Sequence, residues 1–473
     1  MAVQTRSPNI RSVAARLVTL RRSRRDIPQK GKEKGKEMKR FVLAGALSLL
    51  LAVWFTTTGS MADTTDGIPA GTRLAASVLT DPTPVRGTDG LLHIAYELVL
   101  TNGLPSCPTA IPQTPTPEPC PGSQTIGIDQ IDVLNSDTRE VLLSLAGSML
   151  SANMYPLRLG EPPRSPPYPG DTTIATSAVS IVFLDVQLDD NAPIPQHLEH
   201  RTFYHLLEGQ PPASPVHGIV AHIETNETAP PALSPPLGKG IWLASEGCCS
   251  DVTHHRRSAI TVDGDLDIGQ RFAIDWYLLD AQHRAWVGDP TKLTSYFGYG
   301  QTVFAAADGT VVNAPYNDLP DNPNVPGDPP IALGLPLVHG NQLQEALGNH
   351  VVLQIGQGVF VVYCHMMQGS LLVKEGQRVR QGQMLGQIGS SGNANTPHLH
   401  FQISTTPTVT PGDSRPYVFK RFNLVGQVTE RLWDENFQFQ PTGVLPFAPA
   451  QPPSRHQLEL PLDRNVIIFS GSP

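Results

Sequence analysis

The stretch Val373–Phe401, VKEGQRVRQGQMLGQIGSSGNANTPHLHF, limits what this chain can fold into more than any other segment. Its apolar runs are only a few residues long and are punctuated by glycine, the pattern of short strands joined by tight turns. It ends in His398-Leu399-His400-Phe401. Side chains on a strand alternate faces, so His398 and His400 point one way while Leu399 and Phe401 point the other. Two imidazoles on one face and apolar groups on the opposite face describe a strand that floors a polar site above a hydrophobic core.

The rest of the chain carries the same all-β signature. Pro 46 and Gly 41 are high counts for a helical protein of 473 residues, and no long 3.6-residue apolar period runs through its body. Strand-like runs at Leu91–Thr101, Ile126–Leu134, Glu140–Leu145, Ala178–Val186 and Gly218–Glu224 alternate with loops rich in Pro, Gly and Ser. They predict a β-sandwich-like accessory domain over residues 63–240. His93, His197, His200 and His205 are scattered through it and read as ordinary surface or satisfied histidines. A second domain is expected over 241–410, with residues 411–473 as a C-terminal tail. It contains two long insertions, Asp280–Ser295 and Pro315–Leu347, and a hairpin predicted at Val303–Ala314 around the Asp308-Gly309 turn.

Within this second domain, Gly300–Ala314, Gly348–Met366 (with Tyr363-Cys364-His365) and Val373–Ile403 together resemble the lysostaphin-like, LytM-type zinc endopeptidases that cut peptide cross-links of bacterial cell walls. The resemblance covers roughly 130 residues, a span set against ordinary domain sizes. It implies a glycine-punctuated antiparallel β core, one zinc ion, and peptidoglycan stems or cross-bridges as substrate. Carried over residue by residue, it places Asp275 and His400 as metal ligands, with His365 and His398 as the catalytic histidines.

One ligand of that family is absent. Its His-x-Gly-x-Asp stands here as Arg271-Phe272-Ala273-Ile274-Asp275, and a guanidinium that stays protonated cannot ligate a metal. In an unbent strand positions 271 and 275 lie ~13 Å apart. Two readings follow. His254 or His255, with His255 the named candidate, supplies the third ligand. Alternatively Arg271 pairs with Asp275 in a zinc-free groove, making the chain a degenerate relative that binds peptidoglycan or regulates a partner wall hydrolase. A biotinyl- or lipoyl-carrier reading of the glycine run fails, because no lysine lies between Gly382 and Phe401.

The amino-terminal residues differ in kind from the rest. Residues 1–37 are a basic, low-complexity leader, and a translation start at Met38 would leave them unmade. Residues 38–62 combine Lys39-Arg40, the short apolar stretch Phe41–Phe55 and small residues at Ser60 and Ala62, as in a secretory signal peptide. The expected location is therefore periplasmic or extracellular, with no membrane span left after processing. Residues 1–62 hold 13 Lys and Arg against 3 acidic residues, leaving 21 against 39 in the remainder, a net charge of −18. So acidic a body excludes nucleic acid as a partner. Of five cysteines, Cys107 and Cys120 bracket a proline-rich loop that a disulfide would close. Cys248 and Cys249 are expected not to pair with each other, and Cys364 is expected to pack in the core.

Overall fold

Strands dominate the computed structural model, which describes residues 74–103, 125–157, 171–207, 216–249, 253–262, 264–322, 338–430 and 443–469. The leader, the signal segment, the Cys107–Cys120 pair and the middle of Pro315–Leu347 lie outside these residues. Among the described residues the helices are Gly147–Asn153 and Gln342–Ala346, with a 3-10 turn at Leu293–Ser295. None of them is long and apolar enough to cross a membrane.

The first half is a sandwich of two five-stranded sheets. Leu91–Asn102 pairs along its length with Val179–Asp189 in one sheet. Ile126–Asn135 pairs with His197–Leu206 in the other. Their inward residues, among them Ile94, Tyr96, Leu98, Ile131, Val133, Val182 and Leu184, form one core. His197–Leu206 was not foreseen as a strand, although Leu198, His200, Thr202 and Tyr204 recur at the two-residue step and are all buried. The histidines here are satisfied. His200 is buried with Nε2 2.8 Å from the Tyr96 hydroxyl, and His93 lies between Asp185 and Asp89.

The second half centres on an eleven-stranded sheet. Its middle strands are Asn349–Gly356, Val359–Met366, Leu399–Ser404, Ile274–Leu279 and Ile241–Ser245, paired in that order and antiparallel. Val351, Leu353, Val361, Tyr363, Leu399, Phe401 and Ile403 fill the main core on one face. On the other, Val352, Val362 and Cys364 pack with Leu347 and Val409. Both faces are covered, so these strands read as continuous apolar runs rather than as alternation.

Four expectations need correction. Residues 411–473 are no tail: Phe422–Val428, Phe447–His456 and Asn465–Phe469 extend the main sheet beyond Ile241–Ser245. Tyr417, Phe419, Phe422 and Phe469 lie in the main core. The sandwich yields to the second core before residue 240, since Ala232–Leu233 pairs in parallel with Val418–Phe419 and Leu233 and Leu237 are buried there. Val303–Ala314 is not a hairpin. Thr302–Phe304 pairs with Met384–Gln387, whereas Gly309–Asn313 crosses to the main sheet beside Asn349–Gly356. Gly309 permits that crossing, because a Cβ there would lie 2.8 Å from the Gln354 carbonyl. Finally, Cys248 and Cys249 are disulfide-bonded to each other; the peptide between them is cis and their Cα atoms are 3.0 Å apart.

Candidate metal centre

The sheet register brings the site together. Asp275 lies directly opposite His400, and Ser245 lies opposite Asp275 on the next strand. Paired residues on neighbouring strands project from the same face, so Asp275 and His400 meet: His400 Nδ1 is 3.0 Å from Asp275 Oδ1. His398, just before the strand, brings its Nε2 to 3.5 Å from the same oxygen. Leu399 and Phe401 are in the core, as parity required.

His365 reaches the site by a different route from the one parity implies. Strict two-residue alternation would put Tyr363 and His365 on one face. Instead Tyr363 points into the main core, where its hydroxyl accepts a hydrogen bond from Ala306 N at 2.8 Å. Cys364, not Tyr363, lies opposite His400. His365 then adopts φ +62°, a left-handed conformation that breaks the alternation. Its ring turns toward the site, with centroids 4.9 Å from His398 and 5.8 Å from His400. Cys364 is buried as expected, packed with Val352 and Val362, and burial pushes its thiol pKa up.

His255 comes to the same carboxylate. It sits in the turn 253–257, and its Nε2 lies 3.4 Å from Asp275 Oδ2. Its ring is edge-on to that of His400, with centroids 4.8 Å apart. One ligand atom each from His255, Asp275 and His400 lies within 4.8 Å of the other two. His254, the other candidate, does not join this group among the described residues; its backbone N–H donates to Glu246 Oε2 instead. The Arg271–Asp275 pairing is also not formed. The chain does bend before Asp275, with Ala273 N bonded to Gln270 O, but the bend carries Arg271 away. Its guanidinium is buried against Glu97 Oε2 at 2.6 Å and Asp413 Oδ1 at 2.5 Å.

Hydrogen bonds behind the rings decide what faces inward. Gln402 donates its amide N–H to Gly269 O at 2.7 Å, so its oxygen faces His400 Nε2, 2.8 Å away. His400 Nε2 must therefore carry hydrogen, which leaves Nδ1 to face the Asp275 carboxylate. His255 Nδ1 is 3.0 Å from Glu246 O and 3.2 Å from Ala273 O, leaving Nε2 to face the same carboxylate. Two nitrogen lone pairs and a carboxylate thus converge, and such a set demands a proton or a cation between its members. Without a cation the proton is kept: burial disfavours charge on His255, but Asp275 and Glu246 prevail and raise its pKa to about 9. Burial would raise Asp275, yet His255 and His398 hold it well below the usual carboxylate range. The donor set, two imidazole nitrogens and one carboxylate oxygen, fits zinc with a position left for water.

His365 and His398 also face inward. Their Nδ1 atoms bond to Ser391 O at 2.9 Å and Thr396 O at 2.8 Å, so each turns its Nε2 to the site. Burial, reinforced by His398 and His400, lowers the pKa of His365 well below the usual histidine value. Each of the five site residues is at most 7% exposed, and exclusion of water strengthens every charge interaction among them. Sequence reasoning missed Gln402, although it follows His398 and His400 at the same two-residue step and so shares their face.

Residues 294–411 match Peptidase family M23. The match takes in His365, His398 and His400 and begins after His255 and Asp275. The chain is 40% identical over 70 residues to cell division protein DipM of Caulobacter vibrioides, covering 15% of this chain and 11% of DipM. It is 41% identical over 56 residues to peptidoglycan DD-endopeptidase ShyA of Vibrio cholerae, covering 12% of this chain and 13% of ShyA. The chain therefore spans only a small part of the length of these relatives. Among solved structures, the catalytic domain of lysostaphin from Staphylococcus simulans is 18% identical, covering 38% of this chain and 88% of that one, with a TM-score of 0.19.

Proposed function

We infer that this chain, whose residues 294–411 belong to peptidase family M23, is an exported zinc metalloendopeptidase that hydrolyses peptide bonds of peptidoglycan stems or cross-bridges. The observation that carries this reading is the convergence of His255, Asp275 and His400 beside two further inward-facing imidazoles. His255 Nε2, Asp275 and His400 Nδ1 would hold the ion, which when bound supplies Lewis-acid polarisation of the scissile carbonyl and acidifies water. Residues 38–62 would direct export, to the periplasm or the cell wall.

The remaining steps belong to the chain. His398 presents Nε2 to the site while its Nδ1 is held by Thr396 O, so it takes the proton of the attacking water. Tyr277, with its ring centroid 5.2 Å from that of His398, and the Thr396 carbonyl keep the imidazole from turning. His398 then gives that proton to the departing amine. His365, kept neutral by burial and its neighbours with Nδ1 on Ser391 O, turns Nε2 to the tetrahedral intermediate and accepts a hydrogen bond from the hydroxyl that the water has become. Burial of the whole set keeps competing bulk water away from these transfers.

The test is digestion of purified peptidoglycan by the zinc-loaded chain, with new amino termini identified by mass spectrometry. Peptide-bond cleavage is expected, reduced ~10²–10⁴-fold in His398→Ala. Intact peptides after prolonged digestion of walls of several peptide compositions, or full activity in His398→Ala, would overturn the assignment.

A further inference from the structure

We propose that the N-terminal sandwich is part of the metal centre, with Glu97 acting through Arg256 as the positioning residue for His255. This rests on the zinc site proposed above. Asp275 and His400 need no outside support, since both lie on strands paired on each side within the main sheet. His255 has no such ladder. It is the one ligand carried by a turn, and the turn is held by the two residues that follow it.

Arg256 is buried and points away from the site into the sandwich. Its guanidinium donates to Tyr96 O and Leu184 O, both at 3.0 Å, and to Glu97 Oε1 at 3.2 Å. It also donates to Cys249 O at 2.7 Å and lies over the Phe183 ring. Arg257 donates to Ala152 O at 3.0 Å, beside Tyr155 and Phe183. The His255 turn is thus anchored in both partners of the Leu91–Asn102 and Val179–Asp189 pair.

Glu97 locks the arrangement. Oε1 serves Arg256, and Oε2 serves Arg271, four residues before Asp275. One carboxylate of the sandwich therefore joins the segment bearing His255 to the segment leading into Asp275. The arginine that occupies the family's ligand position has become an anchor for the turn that brings the substitute ligand. With Asp413 on Arg271, two guanidiniums and two carboxylates balance, so the cluster can be buried. Burial alone would raise the pKa of Glu97, but Arg271 and Arg256 outweigh it and keep the carboxylate ionised. Side chains behind metal ligands commonly set affinity through such positioning.

The experiment is chelator competition for zinc at neutral pH on the full chain, comparing wild type, Glu97→Gln, His255→Ala and the double variant. Glu97→Gln is expected to weaken zinc ~10–100-fold in the wild-type background. In the His255→Ala background it is expected to add nothing, because the residue it positions is gone. Wild-type affinity in Glu97→Gln, or an equal loss in both backgrounds, overturns the proposal and leaves the zinc site standing. Absence of zinc from wild type overturns the zinc site itself. Should Glu97→Gln fail to fold by circular dichroism, Arg256→Lys makes the same comparison. Its ammonium cannot reach Glu97 and three carbonyls together, so unchanged affinity there also refutes the positioning role.

Discussion

Replacing Arg271 by histidine would supply the ligand that the resemblance to lysostaphin-like endopeptidases implies at this position, and the structure predicts harm rather than gain. Arg271 is buried between two carboxylates, with Nε 2.6 Å from Glu97 Oε2 and Nη1 2.5 Å from Asp413 Oδ1, and Nη1 also donates to Ser414 O at 3.3 Å. An imidazole is too short to span both acids, and position 271 faces the sandwich rather than Asp275. Removing one partner of a buried ion pair costs about 3–5 kcal/mol. Glu97 keeps Arg256, so the lower end, about 3 kcal/mol, is expected. Urea unfolding followed by the fluorescence of the buried Trp242 and Trp276 measures it. The pH dependence has a definite sign. The Glu97 pKa is lowered from its ordinary value of 4.5, so its contribution is fully present above that value and is lost as pH falls through the folded-state pKa. Variant and wild type should therefore differ most at neutral pH and converge in acid. A variant within about 1 kcal/mol of wild type that binds zinc more tightly would refute the reasoning.

Two further substitutions separate the site from its surroundings. Tyr363→Phe should lower stability by about 1–3 kcal/mol, because Ala306 N loses its acceptor in the core, while peptidase activity stays at the wild-type level; a collapse of kcat with unchanged stability would return Tyr363 to the site. Gln402→Ala should weaken zinc ~10–100-fold by freeing the His400 ring, which chelator competition detects, and equal affinity would show that the tautomer is set some other way.

How much of this was legible in the chain follows from the range of the interactions. The pairing of Asp275 with His400 was implied by the family resemblance rather than by local pattern, and strand parity correctly separated the imidazoles from Leu399 and Phe401. Parity failed at His365, since one left-handed residue reverses the face and nothing in Tyr363-Cys364-His365 announces it. His255 could be named only as a candidate. The anchor that brings it in runs from Arg256 to Glu97, 159 residues away. Glu97 itself left a trace, as a lone acid within the apolar run Ile94–Leu100, where a buried charge requires a partner. The strand Phe447–His456 was hidden by Pro449, Pro452 and Pro453. It lies at the edge of the sheet, the place where prolines are tolerated.

His255 is proposed above to complete a metal centre in which Arg271 stands where the resemblance implies a first histidine ligand. Metal analysis of the purified chain, loaded with zinc and then dialysed against metal-free buffer, tests it most directly. A single zinc ion per chain is predicted in the wild type, and it should be lost in His255→Ala as it is in Asp275→Ala and His400→Ala. A zinc-free wild type, or a His255→Ala variant that holds zinc as firmly as the wild type, would contradict the account.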